Sequence, residues 1–141
     1  MIYKATKMVS EAFDQAGLKH AVRETDTFSF VDASFTGSNC TVRIRFVNCD
    51  DDNDVKVLTE NFAKFPEARR AKGLELINEL NRNYKYMKFT VDGDGDLCAQ
   101  YDLPVSAADE NLGKMVIEIA MRCAKIVDDS YPRIMQSIWG A

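Results

Sequence analysis

At 141 residues, with 46% hydrophobic and 28% charged residues, the chain is long enough to bury the core of one domain and has the make-up of a soluble globular protein. Its net charge of −4 and isoelectric point near 5.0 argue against nucleic acid as the main partner, because phosphate backbones require a basic footprint. Four cysteines (Cys40, Cys49, Cys98, Cys123) without a CxxC pair, beside a single histidine, fail the usual zinc patterns and read as reduced residues in or near the core.

Residues 2–16 repeat Ile2, Ala5, Met8 or Val9, Ala12, Phe13 and Ala16 at helical spacing, and Gly17 is a natural stop. A short strand is expected over 19–24. It carries His20, whose sequence neighbourhood holds no catalytic constellation, so a structural role is expected. Residues 27–35 are apolar on both alternating faces, which suits a strand covered on both sides or bulged. Gly37-Ser38-Asn39 turns the chain into the clearest strand, 40–48, with Val42, Ile44 and Phe46 facing in and Arg43 and Arg45 facing out. The two arginines suit an anion or cross-strand pairing with acids, and the pairing is the expectation.

The run Asp50-Asp51-Asp52-Asn53-Asp54 and the loop Asp92-Gly93-Asp94-Gly95-Asp96 both invite calcium. Counted as an EF-hand loop from Asp92, the sixth position is Leu97 and the twelfth Leu103, where glycine and glutamate belong. Both stretches are read as hairpin tips, and no metal or cofactor is expected. Residues 55–64 form a further strand with a phase slip near Thr59.

Pro66 then opens a helix through Tyr84. Arg70, Leu74, Ile77, Asn81 and Tyr84 share one face, with Leu76 and Leu80 on a neighbouring stripe beside Gly73. This apolar surface is wider than one sheet contact needs. Gly73, Leu76 and Leu80 are therefore candidate protein-interface residues. Asn78 and Asn81 are candidate structural polar groups, and Asn81 is expected to lock the helix to the following hairpin. The alternating runs 87–91 and 97–103 around the Asp/Gly cluster make that hairpin. The last helix is expected to start near Ser106, with Asp109 completing a capping box. It is expected to kink or end at Tyr131-Pro132. Ile134 to Trp139 would continue as a short segment, with Trp139 a candidate interface anchor.

The residues Leu76-Ile77-Asn78-Glu79-Leu80-Asn81, Tyr84, Lys88-Phe89, Asp94-Gly95-Asp96 and Tyr101-Asp102-Leu103-Pro104 resemble the YbjN family of bacterial sensory transduction regulators. The resemblance implies a type III secretion chaperone-like fold, with helices on a curved antiparallel sheet, and carries over no catalytic residue. One α+β domain over 1–141 is expected, in the order helix, three or four strands, helix, two strands, helix. The expected function is a non-enzymatic protein-binding module with a chaperone-like or regulatory role, partnered by another protein or by itself as a homodimer. A small-ligand sensor is the alternative. No apolar run is long enough to span a membrane and no signal-peptide pattern opens the sequence, so the expected setting is cytoplasmic.

Overall fold

The computed structural model describes residues 2–49, 54–104, 106 and 108–140. Of the first acidic run only Asp54 lies among them. Helix α1 (Lys4–Gln15) is followed by strands β1 (His20–Glu24), β2 (Ser29–Thr36), β3 (Thr41–Asn48) and β4 (Asp54–Lys64). A 3-10 turn at Glu67–Arg69 leads into α2 (Arg70–Asn83), then β5 (Lys88–Val91), β6 (Asp96–Pro104) and α3 (Leu112–Trp139). The six strands form one antiparallel sheet in the order β1-β2-β3-β4-β6-β5. The α+β architecture and the element order are those read from the sequence, with four strands ahead of the middle helix.

The hydrophobic period puts the core on one face of the sheet. Val31, Phe46 and Val57 are register neighbours and all fully buried, as are Ala33 and Ile44 one step along. The alternate residues Arg43 and Arg45 point to the other face, as the 2.0 period requires. Helices α1 and α3 pack on each other and on the central strands, while α2 packs on α3 and β5. Phe13 of α1 reaches Phe46 with ring centroids 5.5 Å apart. A buried polar cluster fixes the start of α1: Thr6 Oγ1 donates to Asn48 Oδ1 (2.9 Å) and shares a hydrogen bond with Ser29 Oγ (2.7 Å).

The phase slip near Thr59 is a register shift in the β4–β6 ladder between Thr59 and Ala63. Asn61 occupies it with φ of 44°, a left-handed conformation that asparagine tolerates better than most residues. The β3–β4 ladder is short: its pairs are Arg45 with Leu58, Phe46 with Val57 and Val47 with Lys56. Beyond them Thr59 Oγ1 donates to the Arg43 carbonyl (2.9 Å).

Two expectations about α3 are corrected. It begins at Leu112 rather than Ser106. The Ser106 and Asp109 side chains accept from the N–H groups of Ala108 (3.2 Å) and Asn111 (2.9 Å), and so shape the turns ahead of the helix. Nor does it end at Pro132: one helix of 28 residues continues past the proline. Proline removes the N–H that would bond the carbonyl four residues back. Here that carbonyl belongs to Asp128, and Asn39 Nδ2 donates to it instead (3.0 Å). The freed acceptor is satisfied from the β2–β3 turn, so the helix loses less by carrying a proline there.

Candidate functional site

Helix α2 has three differently used flanks. Its buried stripe is Gly73, Ile77 and Leu80. Gly73 is required by packing, since an added Cβ would sit 2.7 Å from the Phe65 ring. Leu80 is 1% exposed. These two candidate interface residues are thus consumed inside the fold, which corrects their reading as a free surface. The wide apolar arc is needed because α2 is wedged between two elements. Its Arg70 and Asn81 bond to the hairpin, while Leu76 and Glu79, with Arg69 just ahead of the helix, face α3.

On the hairpin side, Asn81 Nδ2 donates to the Phe89 carbonyl (2.9 Å) and Asn81 Oδ1 accepts from the Phe89 N–H (2.7 Å). One amide thus occupies both main-chain groups of a single β5 residue. Lys88 Nζ donates to the Asn81 and Tyr84 carbonyls at 2.8 Å each, which covers the end of the helix. Asn78 is exposed, and so is Leu74, at 50%, despite its place on the face that the sequence spacing marks as buried.

On the α3 side, Arg133 pairs with Glu79 (2.9 Å), and Arg69 donates to the Gly140 carbonyl. These contacts set α2 and the end of α3 antiparallel. A shallow groove of about 340 Å³ lies between them, lined by Leu76, Glu79, Arg133 and Gln136 among others. Leu76 is partly buried there, packed against the core. Trp139 ends the helix with 79% of its surface exposed, although Ile134 and Ile138 beside it are buried. The candidate site is this rim: Leu76, the Glu79–Arg133 pair and an uncovered indole.

The latch that holds α3 escapes sequence reasoning. The Asp128 carboxylate accepts backbone N–H groups from Ser38 (3.0 Å), Asn39 (2.8 Å) and Cys40 (3.0 Å). These bonds, that from Asn39 first, hold its pKa below the ordinary value, against the opposing effect of burial. The only signal in the sequence is an acid beside the apolar stripe of α3 and four residues ahead of a proline. An added Cβ at Gly37 would collide with this carboxylate, so the glycine is needed for the close approach. Burial, aided by Asp128, pushes the Cys40 thiol pKa up, and burial alone pushes Cys123 up to about 12. Cys123 is the inert thiol of a packed interior, whereas Cys40 is half-buried.

The remaining candidates are structural. His20 Nε2 lies 2.8 Å from Ser10 Oγ, and its Nδ1 2.9 Å from the Leu18 carbonyl; it stacks near Phe13. Arg45 forms a two-pronged pair with Asp32 across the strands (2.8 and 3.0 Å) and lies 4.1 Å over the Phe30 ring. The Asp32 hydrogen bond, chiefly, raises its pKa. In the hairpin tip, carboxylate oxygens of Asp92, Asp94 and Asp96 come within 4.8 Å of one another. Asp92 Oδ1, however, accepts the Asp94 and Asp96 N–H groups at 2.9 Å, as a turn-forming side chain does. No described helix is long and apolar enough to cross a membrane.

Comparison with known proteins agrees with this architecture. No curated protein matches the sequence significantly. A chain of the heterodimeric ExoU–SpcU complex from the type III secretion system of Pseudomonas aeruginosa superposes with a TM-score of 0.57 at 10% identity, covering 94% of this chain and 99% of that one. YbjN from E. coli superposes with a TM-score of 0.59 at 13% identity, covering 90% of this chain and 91% of that one. At such identities the likeness shows the fold, which is type III secretion chaperone-like. The YbjN family model, described as "Putative bacterial sensory transduction regulator", matches residues 6–130, and the chain belongs to that family.

Proposed function

We propose that this is a non-enzymatic protein-binding module of the cytoplasm with a chaperone-like or regulatory role, and that its partner docks on the rim formed by the end of α3 and the adjoining flank of α2. The observation that carries the reading is Trp139. An indole 79% exposed at the end of a helix otherwise buried along one side is unusual, because large aromatic side chains concentrate at binding surfaces. Family membership and a fold shared with a chain of a two-protein complex support the same reading. Leu76 borders the groove, and the Glu79–Arg133 pair supplies a polar edge. A second copy of the chain is the alternative occupant, since a rim with both charge signs can face itself across a two-fold axis.

The test is a native pull-down from the source cell, read by mass spectrometry, with Trp139→Ser as control. Leu80 is unsuitable as a probe because a charge there would enter the core. A protein captured by the wild type and lost with the folded variant supports the rim as the docking surface. Identical captures by both contradict it. Sedimentation of the two proteins separates self-association from a foreign partner.

A further inference from the structure

The face of the sheet turned away from the core carries Arg43 and Arg45, whose spacing suits either an anion or cross-strand acids. The fold gives the two arginines different surroundings. Arg45 is fully engaged: it holds Asp32 through two hydrogen bonds, lies over the Phe30 ring, and has Glu60 at 3.9 Å from its Nη1. Asp32 and Glu60 therefore both lean on one guanidinium. Among the described residues Arg43 has no ion-pair partner, and neither has Lys19 or Arg23.

Strand register brings these three cations around one place. Ala21, Asp32 and Arg45 form a row across β1, β2 and β3. Arg23 stands beside Phe30 in the row on one side of it, and Arg43 beside Ser34 in the row on the other. Lys19, just ahead of β1, falls by the same register on the far side of Ser34. It and Arg43 are thus two strand spacings apart, roughly 10 Å, which two long side chains can bridge. Lys19, Ala21, Arg23, Ser34 and Arg43 all line one open depression of about 630 Å³, a size ordinary for small-ligand sites. Ala21 leaves room at its centre, because a lone methyl group stands there among long cationic side chains. Asp32 also lines it, with its charge already answered by Arg45.

We infer that this depression binds a diphosphate group, free or carried by a nucleoside. One phosphoryl group sits between Lys19, Arg43 and the Ser34 hydroxyl, and the other lies over Ala21 within reach of Arg23. Guanidinium groups match phosphate oxygens in geometry as well as charge. A monoanion would answer one of the three cations, whereas a diphosphate concentrates several negative charges in a space that all three can reach. An extended acidic segment fits less well, since its carboxylates on one face recur only every 7 Å or so, roughly two residues of strand. The chain as a whole carries a net charge of −4, so the rest of its surface repels a polyanion and the patch stands out against it. The depression is separate from the proposed docking rim, and failure of either leaves the other standing.

The experiment is a titration of the full chain, in metal-free buffer at constant ionic strength, followed by amide NMR shifts. The probes are pyrophosphate and ADP, with orthophosphate, AMP and tetraglutamate beside them. Saturable shifts confined to residues 19–23, 32–34 and 43–45 are expected with pyrophosphate or ADP, and affinity at least about tenfold weaker for the other three. Tighter binding of ADP than of pyrophosphate assigns the nucleoside-borne group, and the reverse order the free anion. Lys19→Gln, Arg23→Gln and Arg43→Gln should each weaken the diphosphate at least about threefold. Lys56→Gln, on the same face but paired with Asp102 outside the depression, should leave it unchanged. The three cationic positions are exposed, and unchanged melting midpoints verify that the variants fold. No saturable shift with either diphosphate overturns the inference. So do shifts that map elsewhere, binding that all three variants leave intact, or tetraglutamate binding as tightly as the diphosphates.

Discussion

Asn81 and Asp128 each tie a helix to the sheet side of this molecule, and they do so in different ways. Asn81 ties α2 to a strand only eight residues ahead, by filling both hydrogen-bonding groups of Phe89. Asp128 ties α3 to a turn about ninety residues behind, by collecting three main-chain N–H groups with a charged acceptor. The first is a neutral lock within a local supersecondary unit. The second is a charge-assisted latch that closes the fold over a long stretch of chain. Charged acceptors make stronger hydrogen bonds than neutral ones, and long-range closure holds more of the structure together.

The difference predicts an order of effects. Asp128→Asn should give the lowest melting temperature of the set, because it strips the charge and leaves three N–H groups of one turn sharing a single carbonyl oxygen. A melting point within a degree or two of wild type would show that the latch is ornamental. Asn81→Ala should cost about 1–3 kcal/mol, seen as a melting temperature lower by roughly 4–10 °C. An unchanged midpoint would break the view that Asn81 locks helix to hairpin.

The proline offers a sharper probe. Asn39→Ala should cost about 1 kcal/mol in the wild type, where Asp128 O has lost its helical donor. In a Pro132→Ala background the helix can supply that donor again, so the same substitution should cost less. The two changes are therefore coupled in a double-mutant cycle. Additive costs would mean that Asn39 does not stand in for the missing bond.

Of these two ties, acid should act on the Asp128 latch and not on the neutral Asn81 lock. The folded-state pKa of Asp128 is depressed, so its stabilising contribution is fully present above the ordinary carboxylate value of 3.8. The contribution is lost as pH falls through the lower folded value. The difference in stability between wild type and Asp128→Asn should therefore shrink below pH 3.8, while that between wild type and Asn81→Ala stays constant. The smallest and simplest contrast is chemical: Cys49, which is exposed, should react with a thiol reagent in the native protein, and Cys123, buried with its pKa near 12, only on unfolding.

How far the sequence could be read follows from the same contrast. Asn81 is legible because its partner lies in the next element and an amide stands out on an apolar stripe. The alternation of Val42, Ile44 and Phe46 and the Asp/Gly hairpin are legible for the same local reason. Asp128 is not, since nothing near it names the turn at Gly37–Cys40. The proline beside it then suggests a break, because the side chain that satisfies the freed carbonyl comes from far away. The α2 surface is misjudged in part: periodicity shows that Gly73, Leu76 and Leu80 are apolar neighbours, but not that Phe65 already covers Gly73 and the core already encloses Leu80. Trp139 stands out as a candidate anchor by residue type, while its exposure depends on how α3 packs.

The most direct test of the docking rim uses the fact that Trp139 is the single tryptophan of the chain. Its fluorescence should be followed in dilute protein, with rising concentration, and on adding any protein captured from the source cell. The account predicts red-shifted, acrylamide-quenchable emission in the dilute chain, and a blue shift with loss of quenching when the partner binds or a second copy docks. Emission that is already shielded in the dilute monomer, or that stays fully quenchable in the isolated complex, would contradict it.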